Sequence, residues 1–155
     1  MKPAAICQAL EAFLALGDPR AEVDRSPAAL ARHLDTLAYA VHFAAAAPRA
    51  QTHQPEPEEQ PELDHRPGEA LDQLFPSLGF YNEPLAPLDP DSALTTCDAL
   101  EDLAGILAEV AEVLARWTTS SEADALWHFH SNYRAHWGGH LRGLQRYLHA
   151  LLAAD

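Results

Sequence analysis

The second half of the chain carries two long series of apolar residues spaced three and four positions apart. The first series runs through Leu100, Leu103, Leu107, Val110, Leu114 and Trp117. This spacing places the apolar side chains on one face of an α-helix, whereas a half-buried strand would alternate every two residues. The series therefore predicts a long amphipathic helix that buries one face against other helices.

Residues 121–153 predict a second long helix. This segment holds two of the three tryptophans and five of the nine histidines. Its predicted apolar face runs through Leu126, His130, Tyr133, Trp137, Leu141, Leu144, Leu148 and Leu151. The connection at 118–121 is short and polar, so we expect the two helices to fold back on each other as an antiparallel hairpin.

Two further helices are predicted in the first part of the chain. Residues 2–16 form the first, because Pro3 suits an opening helical turn and Gly17 ends the apolar pattern. The second begins at Ser26, an N-cap residue followed by a proline, and ends at Pro48. Its apolar residues also recur every three or four positions, from Leu30 onwards.

The composition changes at residues 48–67, where five prolines alternate with five acidic residues. Such a segment cannot bury enough apolar surface to offset the entropy of ordering it, so an extended loop is predicted. A short helix at 68–75 and an irregular apolar segment at 75–88 should follow, with the segment packed over one end of a bundle. The next helix is expected to be capped at Asp91, Ser92 or Thr95.

These elements predict an all-α fold, since no segment alternates with a period of two. The expected architecture is one helical domain over residues 1–155, a bundle of four main helices. The proline-rich acidic loop at 48–67 would be its long crossover, and the C-terminal helices would form its antiparallel hairpin. Cys7 and Cys97 have no CxxC neighbour, so we expect two reduced, buried thiols.

The charge of the chain excludes several classes of partner. Ten Lys and Arg residues stand against 23 Asp and Glu, for a formal net charge of −13. So acidic a surface repels phosphate backbones and anionic lipid, and we expect neither nucleic acid nor a membrane as partner. The N-terminus does not resemble a signal peptide and no apolar run can span a bilayer, so a cytoplasmic protein is expected.

His136 and His140 form the candidate functional site, because histidines four residues apart share one face of a helix. In the predicted antiparallel hairpin, Asp102 of the preceding helix lies at the same level and on the same side. Two imidazoles and one carboxylate suit a divalent transition metal such as zinc, iron, manganese or nickel. The alternatives are hydrogen bonds between the carboxylate and the histidines, or no contact between them.

Other histidines have less specific interpretations. His128 and His130 would point about 200° apart on a helix, too far to bind one ion together. His130 falls within the predicted apolar face, where a buried, hydrogen-bonded imidazole is expected. His33 or His42 of the second predicted helix would be the source of a third imidazole for a metal site.

Three glycines, Gly138, Gly139 and Gly143, interrupt the last predicted helix. Glycine within a helix costs about 1 kcal/mol relative to alanine, so each asks for a structural reason. The leading explanation is close packing of another backbone, and the alternatives are a bend or a ligand in the groove. A homodimer that packs through this smooth strip is a variant of the first explanation.

Four segments resemble a bacterial protein family. They are LFPSLGFYN at 74–82, CDALEDLAGI at 97–106, ADALW at 123–127 and YRAHWGGHL at 133–141. The family is catalogued as a domain of unknown function, number 5063, and the resemblance covers about residues 26–152. It implies a cytoplasmic helical protein and supplies no activity.

Catalytic motifs are missing from the sequence: there is no GxSxG, no phosphate-binding glycine loop, no HExxH and no calcium loop. Together with the acidic charge, this predicts a non-enzymatic binding or accessory protein without a cofactor. Its expected partner is a second copy in a homodimer or an unidentified protein. The alternative is a metal-binding protein or a metal-dependent hydrolase that uses His136, His140 and Asp102.

Overall fold

A computed structural model describes residues 1–44 and 70–154, and these residues form a mostly helical fold with one small sheet. The elements are α1 (Pro3–Leu14), a 3₁₀ turn (Ala15–Gly17), α2 (Pro27–Ala44), α3 (Leu71–Leu74), β1 (Phe80–Pro84), β2 (Leu94–Asp98), α4 (Ala99–Thr119), α5 (Glu122–Asn132), a π-helical turn (Tyr133–Trp137) and α6 (Gly138–Ala154). The predicted loop at 48–67 and the predicted end of α2 at Pro48 lie outside the described residues. Within the described ranges, no helix combines the length and apolarity needed to cross a bilayer.

The helices α1 and α2 follow the predicted pattern. Ile6, Leu10 and Phe13 form the buried face of α1. Ser26 precedes α2, and its side-chain oxygen accepts a hydrogen bond from the backbone N–H of Ala29 at 3.2 Å. This bond satisfies one of the amide groups that the first turn of a helix leaves unpaired. The helix α2 packs against α1, α5 and α6.

The antiparallel arrangement of α4 with the C-terminal helices is confirmed. Arg116, near the end of α4, contacts Asp124 near the start of α5. Asp102, in the first turn of α4, contacts His140 of α6. Along the interior face of α4 the predicted Leu103, Leu107 and Val110 are fully buried. The core therefore lies where α1, α2, α4 and the C-terminal helices meet.

The prediction of an all-α fold is wrong at one place, where β1 and β2 pair as an antiparallel hairpin. Tyr81 lies opposite Cys97, and both are half-buried, whereas Phe80 and Leu94 on the other face are 72% and 67% exposed. A strand is recognised from sequence by apolar residues alternating with polar ones. Here the exposed face of the hairpin also carries apolar residues, so apolar and polar residues do not alternate along the strands.

The start of α4 also differs from the prediction. The predicted caps were Asp91, Ser92 and Thr95. The cap is Asp98, whose side-chain oxygen accepts a hydrogen bond from the backbone N–H of Leu100 at 2.9 Å. Thr95 and Thr96 lie in β2, where β-branched side chains are favoured, and the Thr96 hydroxyl donates to the Asn82 side chain at 3.0 Å. The hairpin thus uses residues that were assigned to the helix.

The π-helical turn joins α5 to α6 and interrupts the single helix predicted for 121–153. A π turn holds one residue more than an α turn, so it shifts the phase of the buried face. Phe129 occupies the core in place of His130, which is half-buried, and the prediction of a buried His130 is therefore wrong. Trp137 ends the turn fully buried, with its ring centre 5.2 Å from Phe129 and 4.9 Å from Tyr133.

The π turn explains one of two adjacent glycines. A Cβ added to Gly138 would lie against the backbone oxygen of Tyr133, far closer than the 3.0 Å that real Cβ atoms keep. A Cβ added to Gly139 would meet no atom within 4 Å. Packing therefore requires glycine at position 138 and leaves position 139 unconstrained.

We predict opposite effects for alanine at these neighbouring positions. Gly138→Ala should destabilise the fold by about 1–3 kcal/mol, because the π turn must distort to admit the methyl group. Gly139→Ala should stabilise it by up to about 1 kcal/mol, since alanine is the better helix former. Urea unfolding of both variants measures the free energies. Equal effects at the two positions would contradict the proposed role of Gly138.

Candidate functional site

One flank of the contact between α4 and the C-terminal helices carries a row of polar side chains, here called the seam network. Its members on α4 are Asp102, Glu109, Glu112 and Arg116. Its members on the C-terminal helices are Asp124, His128, Asn132, His136 and His140. The second set recurs every four residues, which is the spacing that keeps helical side chains on one flank.

The π turn contributes to this alignment. In an α-helix each step of four residues turns about 40° past a full circle, so a long row drifts around the helix. The wider turn at Tyr133–Trp137 offsets part of that drift. Asp124 at one end of the row and His140 at the other therefore both reach α4.

Asp102 joins three elements of the fold. Its Oδ1 accepts a hydrogen bond from His140 Nδ1 at 2.7 Å, and its Oδ2 accepts one from the hydroxyl of Tyr81 in β1. The Asp102 residue is 8% exposed. Burial and the bond to Asp102 raise the pKa of Tyr81, which keeps its hydroxyl protonated and able to donate. Both carboxylate oxygens are thus satisfied, as a buried charge requires.

Glu109 and His136 repeat this arrangement two turns along α4. Glu109 Oε1 accepts from His136 Nδ1 at 3.0 Å, and its Oε2 accepts from Asn132 Nδ2 at 2.9 Å. The rings of His136 and His140 lie edge to face, with centres 5.2 Å apart and planes at 76°. Because a carboxylate can only accept, each neutral imidazole donates from Nδ1 and keeps a lone pair on Nε2.

The residues of the predicted site are placed as follows. Asp102 bonds to His140, and His136 stands beside His140 but bonds to Glu109. The hydrogen-bonded pairing, one of the alternatives raised by the sequence, is therefore observed, and metal binding stays a prediction. The predicted sources of a third imidazole lie on α2, where His33 is half-buried near Arg32 and His42 is exposed.

A second group of ligand atoms was not predicted. Among the residues that the structure describes, one atom each of Glu109, Glu112 and His128 lie within 4.8 Å of one another. His128 is 9% exposed, and burial lowers the pKa of its imidazole, which favours the neutral form. The sequence does contain a signal for this group, because His128, Asn132 and His136 recur every four residues and so share one flank of a helix. The pairing of His128 with His130 alone does not reveal it.

Gly143 allows the hairpin to approach α6. A Cβ at this position would lie 2.5 Å from the Tyr81 hydroxyl and 2.9 Å from Glu83 Oε2. The ring of Tyr147 stacks on Tyr81 at 5.3 Å between centres. Position 143 is closely packed, but the predicted close approach of another backbone is wrong there, because the space is filled by side chains of β1. These side chains cover the part of the predicted dimer strip that lies around Gly143.

Cys97 lies opposite Tyr81 in the hairpin. Both Cys97 and Cys7 are free, as predicted, although both are half-buried where full burial was expected. Burial and then the hydrogen bond with Glu83 raise the pKa of Cys97. The Cys97 thiol is therefore held in its protonated, weakly nucleophilic form.

We predict that Gly143→Ala disturbs the site through Tyr81. The added methyl group should displace the Tyr81 hydroxyl from Asp102 and destabilise the fold by about 1–3 kcal/mol. In a Tyr81→Phe background the same change should cost less, because the closest contact is gone. Urea unfolding of the four proteins of this cycle gives the coupling, and equal costs in the two backgrounds would refute it.

Comparison with known proteins gives one result. Neither the curated proteins nor the solved structures contain a match to the chain. A family model described as a domain of unknown function (DUF5063) matches residues 28–154. This span contains both strands of the hairpin and every residue of the seam network, and it confirms the resemblance seen in the sequence. The chain therefore belongs to the DUF5063 family.

Proposed function

We propose that this protein binds a divalent transition metal ion through the imidazoles of His136 and His140. The observation that carries the proposal is that a carboxylate holds Nδ1 of each ring, Asp102 for His140 and Glu109 for His136. Histidines that bind metals usually donate their other ring nitrogen to a carboxylate or carbonyl, which fixes the ring and strengthens the ligand. Asp102 would then orient His140, a role different from the direct ligand predicted.

The spacing of the two rings supports this proposal. An ion about 2.0–2.1 Å from two imidazole nitrogens, at a tetrahedral angle, would hold the ring centres roughly 5 Å apart. The centres of His136 and His140 are 5.2 Å apart. Histidines four residues apart on a helix are also the pair that helical zinc sites use.

The exposure of the rings bears on what a bound ion would do. The side chains of His136 and His140 are 58% and 42% exposed. An ion there would keep coordination positions open to water or to a substrate, as catalytic metal sites do. Metal-bound water loses a proton near neutral pH, so a metal-dependent hydrolase is the enzymatic form of this proposal.

Metal titration tests the proposal. Chain purified without an affinity tag and stripped with a chelator should bind Zn²⁺ or Co²⁺ in a calorimetric titration. His136→Gln and His140→Gln should each abolish binding at this pair, and Asp102→Asn should weaken it about 10- to 100-fold through the lost orientation of His140. The control is His149→Gln, an exposed histidine of α6 that should change nothing. Wild-type titration curves for all three site variants would refute the proposal.

The outer face of the hairpin favours a second function, protein binding. Phe80 and Leu94 on this face are exposed, and the connection between the strands adds Leu85, 72% exposed, and Leu88, 100% exposed. Leu94 lies at the turn end of the hairpin, beside this connection, and Phe80 lies at the other end of β1. Exposed apolar patches on a domain surface often mark interaction sites. Within the described residues the sheet has two strands, so both have an unpaired edge that another chain can extend. We therefore propose that the contact of a homodimer lies on the hairpin.

Sedimentation velocity at micromolar concentration tests this second function. A homodimer should sediment at about 34 kDa, twice the 16.9 kDa of one chain. Leu85→Asp combined with Leu94→Asp should return the mass to that of one chain. Leu152→Asp, a change of an exposed leucine on α6, is the matched control and should leave the dimer intact. A wild-type protein that sediments as one chain would contradict the homodimer.

A further inference from the structure

We propose that Glu109, Glu112 and His128 form a second cation site, separate from the imidazole pair of His136 and His140. Their ligand atoms lie within 4.8 Å of one another, in the part of the seam network where α4 meets α5. Two carboxylates and one imidazole suit divalent ions such as Mn²⁺, Fe²⁺ and Zn²⁺. The metal proposal for His136 and His140 gives no role to Glu112 or His128.

Three close contacts around His128 and Asn132 cannot all be attractive for one placement of protons: two meet hydrogen-bond geometry, and the contact of His128 with Glu112 is at ion-pair distance. His128 Nε2 lies 3.0 Å from Asn132 Nδ2 and 3.2 Å from Glu112 Oε1, and Asn132 Nδ2 lies 2.9 Å from Glu109 Oε2. The amide nitrogen of asparagine only donates, and a carboxylate only accepts. If Asn132 donates to His128, then Nε2 carries no proton and faces Glu112 as one acceptor against another.

Other placements of the protons, or a turned amide, only transfer the unfavourable contact to a different pair of atoms. With a proton on Nε2, His128 donates to Glu112 but then faces the donor Nδ2 of Asn132. With the amide of Asn132 turned over, its Oδ1 accepts from His128 but lies against Glu109 Oε2 as a second acceptor. With its carboxylates ionised, no arrangement of protons on these side chains satisfies the three contacts together.

A cation removes this conflict. His128 Nε2, Glu109 Oε2 and the carboxylate of Glu112 can each offer a lone pair to an ion. If the amide of Asn132 were turned over, its Oδ1 would be a fourth metal ligand. Arg116 donates to Glu112 Oε1 from Nη2 at 2.9 Å and from Nε at 3.2 Å, which holds that carboxylate in place.

The burial of the three ligands fits a site that is enclosed on one side and open on the other. The side chains of His128 and Glu109 are 11% and 18% exposed, whereas that of Glu112 is 44% exposed. An ion could therefore enter past Glu112 and be shielded from water by the helices. Low exposure strengthens the attraction between an ion and the two carboxylates.

Counting bound zinc separates the two proposed sites. The full chain, stripped and then titrated with Zn²⁺, should bind two ions, measured by calorimetry and by elemental analysis after gel filtration. His128→Gln should bind one ion, and the His136→Gln/His140→Gln double variant should also bind one. The matched control is His130→Gln, which changes the half-buried histidine two residues from His128 and should still bind two.

Two isosteric variants keep the inference testable if His128→Gln fails to fold. Glu112→Gln, at a side chain that is 44% exposed, should weaken binding at this site at least tenfold. Asn132→Asp adds a carboxylate to the same group, and we expect about tenfold tighter binding, because affinity rises with the number of charged ligands. Its ion-free form should be less stable than wild type, because the added charge lies beside Glu109.

Each outcome decides between the sites. Two ions in His128→Gln, or an Asn132→Asp variant that binds no tighter than wild type, would overturn the inference. The inference would also be overturned if wild type bound one ion and only the His136→Gln/His140→Gln variant lost it. That result would support the first metal proposal. A single ion lost in His128→Gln alone would support the inference and reject the first proposal.

Discussion

The carboxylate of Asp102 is the interaction on which the arrangement of the site depends. It is nearly buried, and one of its oxygens accepts from the hairpin through Tyr81 while the other accepts from α6 through His140. Loss of one partner would leave a buried charged group incompletely satisfied, which costs more than an ordinary hydrogen bond contributes. The position of the hairpin and the orientation of the His140 ring are therefore set together.

The glycines of α6 follow from this arrangement and from the π turn. Gly143 must lack a side chain because the Tyr81 hydroxyl, which donates a hydrogen bond to Asp102, occupies that space. Gly138 must lack one because the π turn brings the Tyr133 carbonyl over it. The unfavourable helix propensity of these two residues is thus offset by the geometry that they permit. Gly138 permits the π turn, which keeps the side chains spaced every four residues against α4. Gly143 permits the hairpin to come close enough for Tyr81 to bond to Asp102.

The long helices and the facing of Asp102 with His140 were predictable, because both follow from periodicity. Residues three and four apart define a helix face, and a short connection makes neighbouring helices antiparallel. The hairpin was missed because Phe80 and Leu94 make its exposed face as apolar as its buried one. The π turn has no marker in the local sequence apart from Gly138, and His130 was placed in the core because an unbroken α-helix was assumed.

The remaining candidate ligands were missed for a different reason. In the sequence, His128 is paired most obviously with His130, and on an α-helix these two residues point too far apart to bind one ion. The real neighbours of His128 in the row are Asn132, one turn further on, and Glu112 across the helix contact. A ligand group of this kind can be predicted only when the residues on one helix are matched with those that face them on the next helix. That matching requires the register between the two helices to be known.

The balance of charge in the seam network explains why histidines occupy it. The carboxylates are Asp102, Glu109, Glu112 and Asp124, and among the described members of the network Arg116 is the one permanent cation. A lysine in place of His136 or His140 would neutralise its partner permanently. An imidazole instead donates one hydrogen bond while neutral and keeps a second nitrogen for a proton or a metal ion. Because the carboxylates of Asp102 and Glu109 are largely removed from water, their negative charge favours a cation at this second nitrogen. Within the described residues, this excess of negative charge makes the contact between α4 and the C-terminal helices suited to hold a metal ion.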